Sequence, residues 1–375
     1  MQLKPTLVLW CVASISAGNA ATARADDPPR AGAPAAEIKA MVDRAAEFLK
    51  TRQTANGSFS SQRTGPGITA LVAASLIRNG RADDPVVAKA MKYLEGSVKQ
   101  DGGIYDRGLA NYTTSVALIA FKESNAKGQY DTVIGNATKF LKGLQFDESS
   151  SDTSTDNYGG VGYDGKSRPD LSNTAYFLDA LEAAGVSPTD PAVQRALVFV
   201  NRCQNVPGET NDRAFAKKTT DEDRGGFVYT VTDPKPDDPR RTANGGLRSE
   251  GAMTYAGLKS MLYAGVGKDD PRVKSSIEWI RKHYTLDNSP GQGAAGLYYY
   301  FHIFAKAMRA LGEDSFVDGS GKKHDWRAEL VETLRKRQNK DGSWTNQNGA
   351  FMENNPDLAT AFALLALSYC TPGQK

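Results

Sequence analysis

Six times along its 375 residues the chain repeats one order of elements: a helix with one polar face, a glycine-containing turn, then a helix that is apolar nearly all round. The first copy is centred on Phe48, with Ala45 and Leu49 apolar beside it and Arg44, Glu47 and Lys50 polar. It runs into Gln53, Asn56, Gly57, Ser58 and Phe59 and then into an apolar stretch from Thr69 to Leu76. Corresponding anchors are Tyr93, Phe140, Phe199, Trp279 and Leu334. One such hairpin cannot bury its own apolar surface, so successive copies must stack on one another.

The start of the first helix repeats as well. Asp84, Asp131, Asp190, Asp270 and Asp325 each stand nine residues before an anchor, and Asp84, Asp190 and Asp270 are followed by proline. An aspartate at the N-cap with proline at the first helical position is a helix-start signature, so these residues read as caps and not as metal ligands. Glu329, Glu332, Lys336 and Arg337 lie opposite Leu330, Val331 and Leu334, which places first helices outside; Ala359 to Leu367 and Ser115 to Phe121 are apolar on every face, which places second helices inside. The reading is all-α: an α6/α6 toroid, a double ring of six helical hairpins whose inner helices begin at a central cavity. It forms a single domain over 36–371. Two long linkers, 145–169 and 205–248, are rich in Gly and charge and are expected to form a lid or binding rim.

Ahead of this domain, Lys4, the apolar run Leu7 to Ile15 and the small residues up to Ala25 describe a secretory signal peptide over 1–25. A flexible leader, 26–35, follows. The expected location is secreted or periplasmic, with no transmembrane segment after cleavage. Cys11 falls within the signal; Cys203 and Cys370 remain, either as a pair or as two buried free thiols. With 46 Lys+Arg against 43 Asp+Glu there is no basic excess to bind nucleic acid. No Cys/His spacing suits zinc, so neither metal nor cofactor is expected.

Gln338, Asp341, Gly342, Ser343 and Trp344 spell Q-x-x-D-G-x-W; Gln53, Gly57 and Phe59 repeat it with Phe for Trp, and Gly103 with Tyr105, Gly160, and Gly226 with Phe227 are looser copies. This resembles the repeat of terpenoid cyclases and protein prenyltransferase β-subunits, and the resemblance spans the mature chain. It implies the α6/α6 toroid and a structural role for Gln338 and Trp344. Squalene-cyclase-type enzymes protonate an alkene with a D-x-D-D aspartate at the start of an inner helix. The matching frame here is Pro169, Asp170, Leu171, Ser172, Asn173, Thr174, Ala175, with Ser172 and Asn173 where two aspartates stand in those enzymes; Pro356, Asp357 and Leu358 begin a second copy. Neither hydroxyl nor amide can deliver that proton. The prenyltransferase zinc ligands are missing too, since no Asp-x-Cys exists.

Asp170 and Asp357 therefore read as inner-helix caps that can also line the cavity, together with Asn173. Arg248 and Glu250 precede the fourth inner helix, where they can reach the ring mouth and bind an anion, or pair with each other. Tyr299, His302 and Lys306 share one face of an aromatic inner helix, making Tyr299 and His302 the candidates for acid/base catalysis. His283 and His324 are expected to face solvent, and Asp221, Glu222 and Asp223 to form a solvated acidic loop. Two function classes follow: a binding module that takes a small hydrophobic or glycan ligand in its central cavity, or an enzyme, either a divergent isoprenoid cyclase or a carbohydrate-active toroid. A cavity of Phe, Tyr and Leu favours isoprenoids; stacked aromatics beside Arg and Asp favour sugars.

Overall fold

The computed structural model describes residues 35–106, 108–232, 235 and 237–371. The signal and nearly all of the leader read from the sequence lie outside these residues. Twelve helices carry the domain. The outer ones are α1 (Ala35–Arg52), α3 (Pro85–Glu95), α5 (Asp131–Lys142), α7 (Pro191–Arg202), α9 (Pro271–His283) and α11 (Trp326–Arg337). The inner ones are α2 (Gly67–Arg78), α4 (Ala110–Glu123), α6 (Leu171–Ala183), α8 (Gly251–Tyr263), α10 (Leu297–Leu311) and α12 (Pro356–Ser368).

Burial separates the two sets as the apolar patterning requires. Every residue of α12 from Asp357 to Ser368 is buried, whereas α9 buries only Val273, Ser276, Trp279 and Ile280, a single stripe. Inner helices pack consecutively, α2 on α4, α4 on α6, α6 on α8, α8 on α10 and α10 on α12; α12 returns to α2, and the ring is closed. Each outer helix leans on the inner ring, with α1 against α12. The α6/α6 toroid is thus the observed architecture. The described strands are limited to the two-residue pair β1 (Phe316–Val317) and β2 (Lys323–His324), which bridges α10 and α11.

The repeat motif does its work at the turns. In four hairpins a glutamine amide (Gln53, Gln145, Gln204, Gln338) donates both to the turn glycine carbonyl and to a carbonyl in the first turn or so of the next outer helix, at 2.8 to 3.2 Å. Gln338 reaches Met41 of α1, so the same staple that joins neighbours also joins the last hairpin to the first. The turn glycine must be glycine: Gly342 has φ +90, and a Cβ there would stand 2.3 Å from the Arg44 carbonyl oxygen. A second staple was not anticipated. Thr69, Thr114, Thr174, Thr254 and Thr360, each fully buried in the first turns of an inner helix, accept the backbone N–H of Phe59, Ile104, Val161, Phe227 and Trp344 at 2.9 to 3.1 Å.

Asp84, Asp190, Asp270 and Asp325 cap their helices as expected, through amides at 2.9 to 3.0 Å. Asp131 does not: Tyr130 occupies the cap position, and Asp131 is the first helical residue, taking the Asn125 amide at 2.6 Å. Of the two histidines expected to face solvent, His324 does not, and His283 is half-buried. His324 is buried between Asp318 and Glu329, at 2.9 and 2.8 Å, because the β1–β2 turn folds over the start of α11. His283 lies with its ring tilted against Trp279, centroids 4.2 Å apart. Asp223 is also buried, and its carboxylate accepts the Ser249 amide at 2.8 Å, tying the loop before it to the entry of α8. Cys203 and Cys370 are both buried free thiols.

Candidate functional site

All six inner helices direct their first turns at one cavity of about 370 Å³. Ile68 of α2, Tyr112 of α4, Tyr176 of α6, Met253 of α8, Tyr299 of α10 and Phe362 of α12 face it. Tyr112 meets Tyr176 edge-on at 4.9 Å, Tyr176 lies 6.1 Å from Tyr299, and Tyr299 lies 5.8 Å from Phe362, so an aromatic floor crosses the ring. The two long linkers each add a tyrosine, Tyr163 and Tyr229.

The mouth is apolar and held in unusual backbone. Leu109, Tyr163 and Phe351 are large hydrophobic side chains that remain exposed, and all three border the cavity. Leu109, Phe351 and Met352 adopt left-handed φ of 54, 54 and 63. Such a conformation costs a bulky residue on the order of 1 kcal/mol, and residues kept in it cluster at functional sites.

Polar side chains, among them Ser172, Asn173, Glu250, Gln292 and Glu353, interrupt this lining. Tyr299 donates to or accepts from Ser172 at 3.0 Å. Asn173 faces the cavity; its amide nitrogen donates to Asp170 at 2.8 Å, while its Oδ1 is buried without a partner among the described residues. Glu353 closes the start of α10, accepting the Tyr299 amide at 2.8 Å and the Asn346 side chain at 2.7 Å. Burial raises its pKa, and those donors only partly offset the rise. Glu250 differs. It stands at the N-cap of α8 yet its side chain makes no capping bond, so the carboxyl is left at the cavity wall. Burial pushes its pKa up to about 7, against smaller opposing effects of Gln292 and Arg240.

The other residues singled out in the sequence are dispersed. Asp170 caps α6 through the Asn173 amide at 2.8 Å and stands behind the wall; burial, more than these contacts, sets its raised pKa. Asp357 is not a cap, because Asn355 takes that place; the Asp357 carboxylate binds Arg52 at 3.0 Å and Ser60 at 2.7 Å. Arg248 is exposed, bonds the Pro239 carbonyl at 3.3 Å and borders a surface pocket with Asp237 and Asp238; it does not pair with Glu250. Tyr299 and His302 are one turn apart but open on different spaces. Tyr299 faces the cavity, whereas His302 opens beneath the aromatic floor onto a crevice with Arg78, Asp179 and Lys306. Its imidazole is held neutral, first by burial and then by Lys306.

Sequence reasoning missed Tyr112, Tyr176, Phe362 and Glu353 as wall residues. The first three carried a signal, each being an aromatic in an early turn of an inner helix, the end that borders the cavity.

Comparison with known proteins agrees with this architecture. The profile of the squalene-hopene cyclase C-terminal domain matches residues 62–222. Curated protein sequences give no match. Among solved structures, the type II terpene cyclase MstE from Scytonema superposes with TM-score 0.50 at 13% identity, covering 90% of this chain and 98% of that one. The alpha-1,6-mannanase from Salegentibacter gives 0.58 at 11% identity, covering 89% and 100%. A sugar epimerase from a ruminal bacterium gives 0.52 at 11%, covering 91% and 99%. At these identities the structures share the fold with this chain. The resemblance to the terpenoid cyclase repeat superfamily is supported by the profile over residues 62–222, a stretch that does not include Gln338 to Trp344, and by the shared fold.

Proposed function

We propose that this terpenoid-cyclase-like toroid is exported and binds an isoprenoid-like apolar molecule in its central cavity. One observation carries the reading: all six inner helices contribute to a lining dominated by Tyr, Phe, Leu, Ile and Met, in which Glu250 and Glu353 are the carboxylates and no Arg or Asp stands among the described lining residues. A site of this size accommodates one small ligand, and its rim of Leu109, Phe351 and Met352 gives an apolar path inward. Of the polar groups in the lining, Tyr299 with Ser172, Asn173 Oδ1 and the Glu250 carboxyl are placed to orient a hydroxyl or carbonyl on an otherwise apolar body.

The test is to incubate the purified domain with a total lipid extract and with soluble polysaccharides and to identify retained and converted molecules by mass spectrometry. The expected result is one terpenoid lipid per chain, lost when Ala252→Phe fills the cavity from the first turn of α8. Retention of glycans alone, or lipid retention indifferent to Ala252→Phe, contradicts the reading.

A further inference from the structure

The opposite mouth of the ring has another chemistry. Helices α2, α4, α6, α10 and α12 finish there, around an open pocket of about 670 Å³. Arg78, Lys122, Lys306 and Arg309 face it, against Glu123, Asp179 and Glu182. Two of those acids are already engaged. Glu123 pairs with Arg78 at 2.6 Å, and Asp179 carries two lysines, Lys306 at 2.8 Å and the enclosed Lys259. Counting Lys259, five cations meet three carboxylates.

Convergent helix C-termini attract cations, which accounts for part of this surplus. They do not account for a second feature. His302 is 5% exposed, its ring stacked 5.9 Å from Phe362 and 6.0 Å from Tyr369. Its Nδ1 is buried without a hydrogen-bond partner among the described residues, and the residue opens on the crevice that Arg78, Asp179 and Lys306 also line. A buried ring nitrogen left unbonded is costly unless something that is not protein meets it.

We infer that this mouth is a binding site for a small polyanion bearing phosphate or carboxylate groups, held by Lys306, Arg309 and Lys122, with one bridging water in the narrow crevice of about 20 Å³ beside Lys306 as the group that meets the buried His302. Lys306 is the pivotal group, because it shares Asp179 with the enclosed Lys259 and, unlike Lys259, faces the open pocket. Charge-assisted hydrogen bonds from Arg and Lys recognise such oxygens well. The site lies beyond the aromatic floor and does not depend on what the apolar cavity holds.

Pyrophosphate and citrate, titrated by calorimetry and thermal unfolding at an ionic strength fixed with sodium chloride, are the probes; the two arms separate phosphate from carboxylate recognition. The expected result is saturable binding of one anion per chain with a raised Tm. Lys306→Met and Arg309→Ala should each weaken it about tenfold, and Lys122→Ala several-fold. Lys122 is exposed, so Lys122→Ala keeps the test valid if Lys306→Met does not fold. A Tm that responds to either anion no more than to chloride, or binding that these substitutions leave unchanged, overturns the inference and leaves the cations as partners of the helix ends.

Discussion

Replacing Glu250 by glutamine should flatten the dependence of stability on pH. The carboxyl is 7% exposed at the cavity wall, and burial carries its pKa from 4.5 to about 7. Ten-fold in proton affinity is worth about 1.4 kcal/mol, so the displacement amounts to about 3 kcal/mol. The sign follows from linkage. The folded protein holds this proton more tightly than the unfolded chain, so the stabilisation is complete below about pH 4.5 and is lost as pH rises through about 7. Between about pH 5 and about pH 8 the unmodified protein should lose about 2 to 3 kcal/mol from this group alone. Asp170 and Glu353, also raised by burial, act in the same sense, and His302, held neutral, acts oppositely at low pH. The comparison with Glu250→Gln, which keeps shape and hydrogen bonding, isolates the one group. Urea unfolding of both proteins at the two pH values is the assay. Equal pH dependence in the two would mean that the carboxyl is hydrated, and the description of an enclosed, largely apolar wall would fail with it.

Gln338→Ala should cost about 1 to 3 kcal/mol in urea unfolding, because it removes two amide bonds, one of them the staple from the last hairpin to α1, and leaves carbonyls unpaired. Gly342→Ala should cost more than Gly185→Ala. Both have positive φ, but a Cβ at Gly342 meets the Arg44 carbonyl at 2.3 Å while one at Gly185 meets nothing within 4 Å. About 1 kcal/mol is expected for Gly185→Ala and several for Gly342→Ala; equal losses would mean that the ring closure is not so tight. Expression of the full chain in a host with a secretory pathway should yield protein beginning at Asp26, read by intact-mass spectrometry; retention of residues 1–25 counts against export.

The hairpin count, the inner and outer assignment and the capping aspartates were legible because each is a local pattern repeated at fixed spacing. Exceptions to the pattern were not. Asp131 keeps the spacing of the caps and, like the capping Asp325, has no proline after it, yet Tyr130 takes the cap. Asp357 sits in the frame of Asp170, yet Asn355 two residues earlier offers a competing cap and frees the carboxylate for Arg52. His324 looked like a loop residue because its partners Asp318 and Glu329 are joined to it only by the β1–β2 turn. Lys259 and Asp179, charged residues inside otherwise apolar helices, were a visible sign of a buried pair, but which lysine meets which carboxylate depends on how α6, α8 and α10 converge. Cavity lining was partly readable. Asn173 and Tyr299 face it as the helix registers suggest, whereas Tyr163 and Tyr229 arrive from linkers whose paths no short-range pattern encodes.

Photocrosslinking with a diazirine derivative of geranylgeraniol, followed by peptide mapping, reads the occupant of the cavity at the level of residues. Adducts should fall on the peptides carrying Tyr112, Tyr176, Tyr299 and Phe362 and should disappear when unlabelled terpenoid competes. Adducts confined to the outer helices, or none while the same protein retains polysaccharide, would contradict an apolar ligand at the centre of the ring.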